Sequence, residues 1–293
     1  MIQWKPLTLE QAPLLKEYFD RSENRLCDQT LGGALMWRSG FDTFFAHEEG
    51  ALLLSSRLSS GKRAFTMPLG NVEKGLDLLE CYAAESGEPL VFCSVGEEDK
   101  EKLLARFPKM TATPTRDWFD YLYLAEKFKG FPGKKLSGQR NHRNYFLKNR
   151  TDWKFHVVTT ENLHRVKEYF SRYAATNEKF SSYFEEEKVA VAEVLEHLSV
   201  YGFFGGFLEV EGEVVAFSFG EILGDTLFIH IEKAEKSVRG AYQMILSEFV
   251  THFAHEGVLY VNREEDVGDP GLRYSKEAYH PHKLLAKYIV ERE

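Results

Sequence analysis

Hydrophobic and polar positions along the first 126 residues alternate in a way that predicts helices separated by short strands. A capping box at Thr8 and Gln11 starts the first helix, because each side chain can bond a free N–H group at a helix start. The apolar runs that follow are bounded by the turns Glu49-Gly50 and Gly61-Lys62. The predicted elements after this helix are strands 41–46, 51–55 and 63–67, helix 72–84, strand 90–93, helix 99–107 and strand 118–124.

The second half of the chain repeats this order with a clearer pattern. Turns in which glycine stands beside an acidic residue separate three strands, at Glu211-Gly212 and at Gly224-Asp225. A second capping box, Ser182 with Glu185, predicts the start of a helix before them. The predicted elements are helices 161–173 and 182–198, strands 203–210, 213–223 and 226–232, helix 240–255, strand 258–262, helix 270–278 and strand 284–290.

The repeated order predicts a mixed α/β protein of two tandem domains, each a mostly antiparallel sheet flanked by helices. Residues 129–133, Lys-Gly-Phe-Pro-Gly, interrupt regular structure. Eight lysines or arginines, with no acidic residue among them, lie between 127 and 150. The predicted division is a domain at 1–126, a basic linker helix at 127–150 and a second domain at 151–293.

Composition narrows the class of protein. The 293 residues carry a formal net charge of −8, which argues against a general nucleic-acid coat. No run approaches the ~18 apolar residues of a membrane helix, and no secretion signal opens the chain, so we expect a cytoplasmic protein without an integral membrane segment. The three cysteines are widely spaced, and we predict neither a disulfide framework nor a metal site. Four histidines near the end of the chain could serve as zinc ligands, but their spacing matches no common zinc site: His252, His255, His280 and His282.

The three-stranded meander, followed by helix 240–255 and strand 258–262, resembles the GNAT acyl-CoA N-acyltransferase fold. In that family the loop before the helix carries Arg/Gln-x-x-Gly-x-Gly/Ala and holds the pyrophosphate of coenzyme A. The free N–H groups and the positive dipole of a helix start attract phosphate, and here Arg239 and Gly240 stand at that place. The loop fits no register of the motif well, so Gly240 either contacts phosphate or only lets the chain turn into the helix.

Two segments, 262–281 and 139–148, resemble a bacterial family of unknown function whose members are similar to the C-terminal catalytic domain of phosphatidylglycerol lysyltransferases. The first runs from Asn262 through Asp266 to Pro281, and the second is the core of the basic helix. The resemblance covers most of the chain and implies a tandem GNAT pair. The lysyltransferases and the similar peptidoglycan-bridge enzymes take an aminoacyl group from tRNA. The resemblance therefore implies aminoacyl-tRNA or acyl-CoA as the donor, and no certain cofactor.

The leading hypothesis is a transferase that moves an acyl or aminoacyl group from such a carrier to an amine or hydroxyl acceptor. Because no transmembrane domain precedes the part that resembles the lysyltransferases, we expect a small-molecule or peptide amine in preference to a lipid. The alternative is a non-catalytic binding protein that keeps a GNAT-like cleft. No pattern assigns an oligomeric state.

Three residues are candidates for proton transfer. Asp266 follows a strand at the carboxyl edge of the predicted sheet, where α/β proteins often bind ligands, and its carboxylate could take a proton from an amine. The alternative for Asp266 is a solvated loop. The resemblance to GNAT enzymes implies that Glu232 acts through water as a base and that Tyr242 protonates the leaving group. His230 alternates with Glu232 and is interpreted as a core residue.

Polar residues near this loop are candidates for holding the donor. Arg273 and Lys276 are three residues apart and share a helix face, so together they could bind a phosphate or a carboxylate. Lys283 lies just beyond them, and Asn262 lies before them. The alternative is that the cations form surface ion pairs with nearby glutamates.

The basic helix is the candidate RNA contact. Arg140, Arg143 and Lys148 could hold an RNA acceptor stem through its phosphates, with Tyr145 and Phe146 available for stacking. A linker helix packed against an acidic surface would have the same composition. Both interpretations stay open, and tRNA is a possible partner.

Overall fold

The computed structural model of the chain describes residues 2–21, 24–176 and 182–292, with only the backbone described at 182–184. The strands are β1 Lys5–Pro6, β2 Phe44–Glu48, β3 Ala51–Arg57, β4 Arg63–Phe65, β5 Leu69–Gly70, β6 Val91–Val95, β7 Met110–Pro114, β8 Asp120–Leu124, β9 Lys154–Val157, β10 Phe204–Val210, β11 Glu213–Leu223, β12 Thr226–Ala234, β13 Tyr260–Asn262, β14 Lys283–Leu285 and β15 Tyr288–Arg292. The helices are α1 Ala12–Phe19, α2 Leu31–Met36, α3 Val72–Ser86, α4 Glu97–Arg106, α5 Ser137–Asn149, α6 Leu163–Thr176, α7 Ser182–Glu196, α8 Leu198–Tyr201, α9 Ala241–Phe253 and α10 Pro270–Glu277.

The first compact unit comprises Met1–Asp120, Glu265–Asp269 and Leu284–Glu293. Its sheet has the strand order β1-β2-β3-β4-β6-β15-β7, and β5 pairs with β3. β4 and β6 are parallel, whereas β15 lies antiparallel between β6 and β7. Apolar side chains of α3 and α4, such as Leu76 and Leu103, pack with the strand residues in one buried core.

The second compact unit comprises Tyr121–Glu264 and Pro270–Lys283. The second sheet has the strand order β14-β8-β13-β12-β11-β10-β9. β10, β11 and β12 form an antiparallel meander, as predicted, and α9 connects β12 to the parallel strand β13. Met244 and Ile245 of α9 are fully buried in the core that includes apolar residues of β10 and β11.

The units divide the chain differently from the predicted boundaries. The predicted strand 284–290 is observed as two strands, and the second of them, β15, belongs to the first sheet. Residues 265–269 and 284–293 therefore group with the first unit and not with the predicted domain at 151–293. A strand pattern specifies which residues face a core, but it does not specify which sheet accepts the strand.

Local signals agree with the structure where a cap or a turn carries them. Thr8 and Gln11 form the predicted capping box, and it opens a short 3-10 turn that leads into α1. The side chain of Ser182, predicted to cap α7, lies outside the described residues. The short helix α2 was not predicted, because two glycines oppose a helix there. Gly33 is needed all the same, since a Cβ atom at Gly33 would lie 2.0 Å from the carbonyl oxygen of Cys27.

An irregularity in the β11–β12 pairing places one extra residue in β12. Phe219 pairs with Ile231 and the next residue, Gly220, pairs with Ile229, so His230 has no opposite residue on β11. Such a bulge changes the direction of the side chain at that point. A Cβ atom at Gly220 would lie 2.0 Å from the carbonyl oxygen of Phe228, so the bulge requires glycine.

The parallel pair β12 and β13 separates soon after it forms. Its pairing runs from Thr226 opposite Tyr260 to Phe228 opposite Asn262. β12 continues to Ala234, whereas β13 ends at Asn262. We call the space beside the second half of β12 the strand opening; Glu232 borders it on β12 and Arg263 borders it after β13.

Over the described residues, no helix combines the length and hydropathy needed to cross a membrane.

We predict that Gly220→Ala destabilises the protein by about 3 kcal/mol or more, because its methyl group overlaps the backbone of β12. Gly138→Ala is the matched control: this glycine lies in α5 with no atom within 4 Å of the added methyl group, so stability should stay equal or rise by up to about 1 kcal/mol. Urea unfolding of both variants measures the difference. Equal stabilities would show that the bulge tolerates a side chain.

Candidate functional site

The strand opening of the second unit contains an ion pair between Glu232 and Arg263. Arg263 Nη2 donates to Glu232 Oε1 at 2.8 Å. The exposed fraction is 11% for the side chain of Arg263 and 9% for that of Glu232. Glu232 could not be buried at low cost without a partner, because an unpaired buried charge is strongly unfavourable. Each residue therefore makes the burial of the other possible.

Residues on β8, on α10 and just after α10 support Arg263. Its guanidinium lies 4.8 Å from the ring centre of Tyr279. Lys276 Nζ donates to the backbone carbonyl of Arg263 at 2.6 Å, and Tyr123 Oη donates to the carbonyl of Lys276 at 2.8 Å. Burial raises the pKa of Tyr279 to about 12, although Arg263 acts in the opposite direction, so its phenol stays protonated.

Three buried polar atoms at this place have no hydrogen-bond partner among the described residues: Glu232 Oε2, Arg263 Nη1 and Ser218 Oγ. Ser218 of β11 is directly opposite Glu232 in the strand register, so the two side chains face the same side of the sheet. Buried polar groups are normally satisfied, and an exception calls for a water molecule or a ligand. The free oxygen can accept a hydrogen bond and the free guanidinium nitrogen can donate one.

Glu232 has the chemical character of a base. Burial raises the pKa of its carboxyl group above the ordinary value, and the charge of Arg263 opposes that shift. A carboxylate with a raised pKa takes a proton more readily than an exposed one. The strand opening therefore combines a proton acceptor with a fixed positive charge.

His230 lies two residues before Glu232 and is completely buried. Its Nδ1 is 2.8 Å from Glu264 Oε1, and its Nε2 is 2.9 Å from Glu221 Oε1. The ring stacks on Phe203 with 4.9 Å between the ring centres. Burial by itself lowers the pKa of His230, but the hydrogen bonds to the two glutamates raise it to about 9.

Tyr242 and Gly240, predicted as catalytic and phosphate-binding, lie at the start of α9. Burial and the interaction with Tyr173 raise the pKa of Tyr242 far above its ordinary value, so its phenol stays protonated. Gly240 has φ +89°, and a Cβ atom there would lie 2.3 Å from the carbonyl oxygen of His142 on α5. This close approach of α5 accounts for the glycine without a phosphate. Arg239 is exposed and lies 4.3 Å from the ring centre of Tyr145.

Asp266, predicted as a base, lies in the first unit and is completely buried. Its Oδ2 accepts from Arg116 at 3.0 Å and its Oδ1 accepts from the backbone N–H of Gly268 at 2.9 Å. Because donors of the same chain occupy both oxygens, this environment favours anchoring of the loop over proton transfer.

The predicted donor-binding residues have different environments. Asn262 is buried, and its Oδ1 accepts from the N–H of Glu264 at 2.6 Å. Lys276 supports Arg263, as described above. Arg273 is half-buried on α10, and Lys283 is exposed at the start of β14. The structure therefore brings Asn262 and Lys276 next to Arg263, as supports of the segment that carries it.

Two of the three residues of α5 that were predicted to contact RNA, Arg140 and Arg143, contact other residues of the second unit. Arg140 donates to the carbonyls of Phe131 and Gly133, both at 2.7 Å, and so anchors the loop before the helix. Arg143 lies 3.5 Å from Glu248 of α9. Lys148 is exposed. The RNA role of these residues stays a prediction.

The first unit contains a second buried cluster, centred on Lys287, whose side chain has no exposed surface. Its ammonium nitrogen lies 2.7 Å from Asp120, 3.4 Å from Glu265 and 3.3 Å from the sulfur of Cys27, and it also pairs with Asp28. Burial raises the pKa of Asp120 to about 6, although Lys287 opposes the shift. We call these five residues the Lys287 cluster.

Within the Lys287 cluster, Cys27, Asp28 and Asp120 place their possible ligand atoms within 4.8 Å of one another. The Lys287 ammonium contacts all three, so the chain itself supplies a cation to this group. The absence of a metal site stays a prediction.

Sequence reasoning missed Arg263 and Ser218, whereas the interpretation of His230 as a core residue agrees with its burial. Arg263 is the first residue after the predicted strand 258–262, and Asp266 lies three residues further along the same loop. Position in the sequence could not decide which of the two belongs to a site. Ser218 and Glu232 come together only through the register of β11 and β12.

The chain matches the family described as phosphatidylglycerol lysyltransferase, C-terminal, over residues 19–291. An uncharacterized protein of Mycoplasmoides gallisepticum is 25% identical over 174 residues, which is 59% of this chain. The chain spans 56% of the length of that protein.

Three solved structures are similar to this chain. A conserved protein of unknown function from Bacteroides thetaiotaomicron is 30% identical, covers 100% of both chains and has a TM-score of 0.89. The C-terminal domain of a putative lysylphosphatidylglycerol synthetase from Agrobacterium fabrum is 15% identical, with a TM-score of 0.70 over 97% of this chain and 92% of that one. L-PGS from Bacillus licheniformis is 16% identical, with a TM-score of 0.67 over 98% of this chain and 92% of that one. The last two are similar in fold alone.

We predict that Lys287→Met destabilises the protein by about 3–5 kcal/mol, because it leaves buried carboxylates without their cation. Lys283→Met is the matched control, since this lysine is exposed four residues earlier, and it should change stability by less than about 0.5 kcal/mol. Chemical unfolding at neutral pH measures both. A loss below about 1 kcal/mol for Lys287→Met would mean that water reaches the cluster.

Proposed function

Because the chain belongs to the phosphatidylglycerol lysyltransferase C-terminal family, we propose that it transfers an aminoacyl or acyl group from a carrier to an amine or hydroxyl acceptor. Membership supports an acyltransferase-type protein. The donor, the acceptor and a tandem GNAT origin of the two units are parts of the proposal.

The observation that carries the proposal is the buried Glu232–Arg263 pair with one free atom on each partner. Acyl transfer to an amine needs a proton acceptor beside the nucleophile and a donor beside the carbonyl oxygen, where negative charge develops. Glu232 Oε2 would take the proton of the acceptor, and Arg263 Nη1 would stabilise the oxyanion. These two functions match the two free atoms.

In the proposed reaction, the acceptor nitrogen or oxygen bonds to the carbonyl carbon as its proton passes to Glu232. The bond from that carbon to the carrier then breaks, and the carrier oxygen or sulfur leaves with a proton from Tyr242. The raised pKa keeps the Tyr242 phenol protonated, so a proton is present when the carrier leaves, and the proton taken up by Glu232 replaces it between turnovers. Asp266, enclosed by Arg116 and Gly268, is proposed as an anchor of its loop and the less favoured base.

An exposed surface of the second unit supports RNA as the carrier. Tyr145 is 43% exposed, and the Arg239 guanidinium lies over its ring. Lys148 is exposed three residues further along α5. A stacking ring with cations beside it is the arrangement that binds a nucleic-acid strand with little sequence preference. We call Tyr145, Lys148 and Arg239 the α5 surface.

A binding protein without turnover is the second candidate. The observation that favours it is the close approach of His142 of α5 to Gly240, at the helix start that GNAT enzymes use for coenzyme A. The two candidates differ in a single measurable property, the cleavage of a carrier ester or thioester.

We predict that the purified chain cleaves the ester of bulk aminoacyl-tRNA or the thioester of acetyl-CoA when given a mixture of amino acids, short peptides and phosphatidylglycerol vesicles. Glu232→Gln should lower the rate by roughly 10²–10⁴-fold, because an amide cannot take the proton. Arg263→Lys keeps the charge but should also reduce the rate, because the donor geometry changes.

The matched control for Glu232→Gln is Glu213→Gln, which removes a carboxylate that is 73% exposed on β11. It should leave the rate unchanged. Binding of a carrier without cleavage would favour the binding protein, and an unchanged rate in Glu232→Gln would remove Glu232 as the base.

We predict that the double substitution Lys148→Glu and Arg239→Glu weakens tRNA binding by at least about 10-fold at 0.1 M salt and flattens its salt dependence. Lys5→Glu with Lys109→Glu makes the same change of charge at exposed positions of the first unit and is the control. Filter binding across a series of salt concentrations measures the tRNA affinity of both double variants. Equal losses would show that tRNA responds to net charge and not to the α5 surface.

A further inference from the structure

The environment of His230 determines its protonation state. Both ring nitrogens lie within 2.9 Å of a carboxylate oxygen, one from Glu221 and one from Glu264. An ionised carboxylate only accepts hydrogen bonds, and a neutral imidazole carries a single N–H. When both carboxylates are ionised, the ring can bond to both of them only if both of its nitrogens carry hydrogen, that is, as an imidazolium.

The contacts of His230 connect three neighbouring strands at the strand opening. Glu221 belongs to β11, His230 is the extra residue of β12, and Glu264 lies two residues after β13. Glu264 is held a second time, since its N–H donates to Asn262 Oδ1 at 2.6 Å. Because Glu264 directly follows Arg263, these contacts restrict the backbone that presents the guanidinium.

Two carboxylates and two aromatic rings surround the imidazole of His230. Glu221 and Glu264 face its two nitrogens, and both raise its proton affinity. Phe203 stacks on one face at 4.9 Å, and Phe228 lies nearly parallel at 6.2 Å. Two carboxylates and aromatic rings favour the imidazolium, so its charge is retained although it is buried.

We infer that His230 is a positioning residue: as an imidazolium held between Glu221 and Glu264, it fixes the segment that aims Arg263 at Glu232. This inference rests on the proposed transfer at the Glu232–Arg263 pair. Loss of the proton from His230 breaks one of its two hydrogen bonds and leaves a lone pair facing a carboxylate. The segment after β13 then loses one of its restraints, and Arg263 is held less firmly at 2.8 Å from Glu232.

The first test measures protonation directly and needs no substrate. In protein labelled with nitrogen-15 at histidine, the signals of His230 should show hydrogen on both nitrogens at pH 7.5 and titrate near pH 9. The signals that disappear in His230→Gln identify the residue, and if that variant does not fold, the signals that shift in Glu221→Gln identify it. A neutral ring at pH 7.5 overturns the inference.

The second test uses the pH dependence of carrier cleavage. Transfer should fall as pH rises through about 9. Glu221→Gln removes one of the two charges that raise the proton affinity, so it should move this upper limit to lower pH by roughly one to two units. The control Glu213→Gln removes an exposed carboxylate on the same strand and should leave the upper pH limit of transfer unchanged.

If His230 served stability alone, Glu221→Gln would lower the amount of folded protein without moving the upper pH limit of transfer. An unmoved limit therefore overturns the inference. The two proposals fail separately. Absence of cleavage at every pH, with a doubly protonated His230 in the spectrum, rejects the transfer. Cleavage with an unmoved limit rejects the positioning role.

Discussion

The separation of the parallel strands β12 and β13 is the constraint on which the second unit depends. Pairing stops at Phe228 and Asn262, so the backbone beyond these residues loses a neighbour and the space is filled by side chains. The side chains that fill it are charged, and burying an ion is costly unless an opposite ion meets it with good geometry. Glu232 and Arg263 meet this requirement for each other. A hydrophobic pair of similar volume can fill the same space at equal or lower cost, so stability does not require these charges, and the chemical use of the pair is our proposal.

The same rule organises the charges in both units. Lys287 is buried among Asp28, Asp120 and Glu265, and His230 is buried between two glutamates. In each case a single cation holds carboxylates that come from distant parts of the sequence. Removal of the cation is therefore more damaging than removal of any one acid, because several negative charges would remain buried together.

The predicted functional residues acquired different roles once their contacts were known. Arg140 and Arg143 contact their own unit, whereas Lys148 and Arg239 stay exposed. Asp266 has both oxygens occupied, whereas Glu232 keeps one free among the described residues. Availability for a ligand depends on which hydrogen bonds the fold already uses, and a residue type does not reveal this.

The sequence by itself determined the mixed α/β class, the meander β10–β12, the helices α5 and α9, the capping box at Thr8 and the resemblance to the lysyltransferase family. Caps, turns and periodicity act over a few residues, so they can be read from a short window. Only the tertiary structure decided that β15 joins the first sheet, that Arg263 meets Glu232, and that His230 occupies a bulge opposite no residue of β11. These pairings depend on strand register, which long-range packing sets and which local patterns leave open.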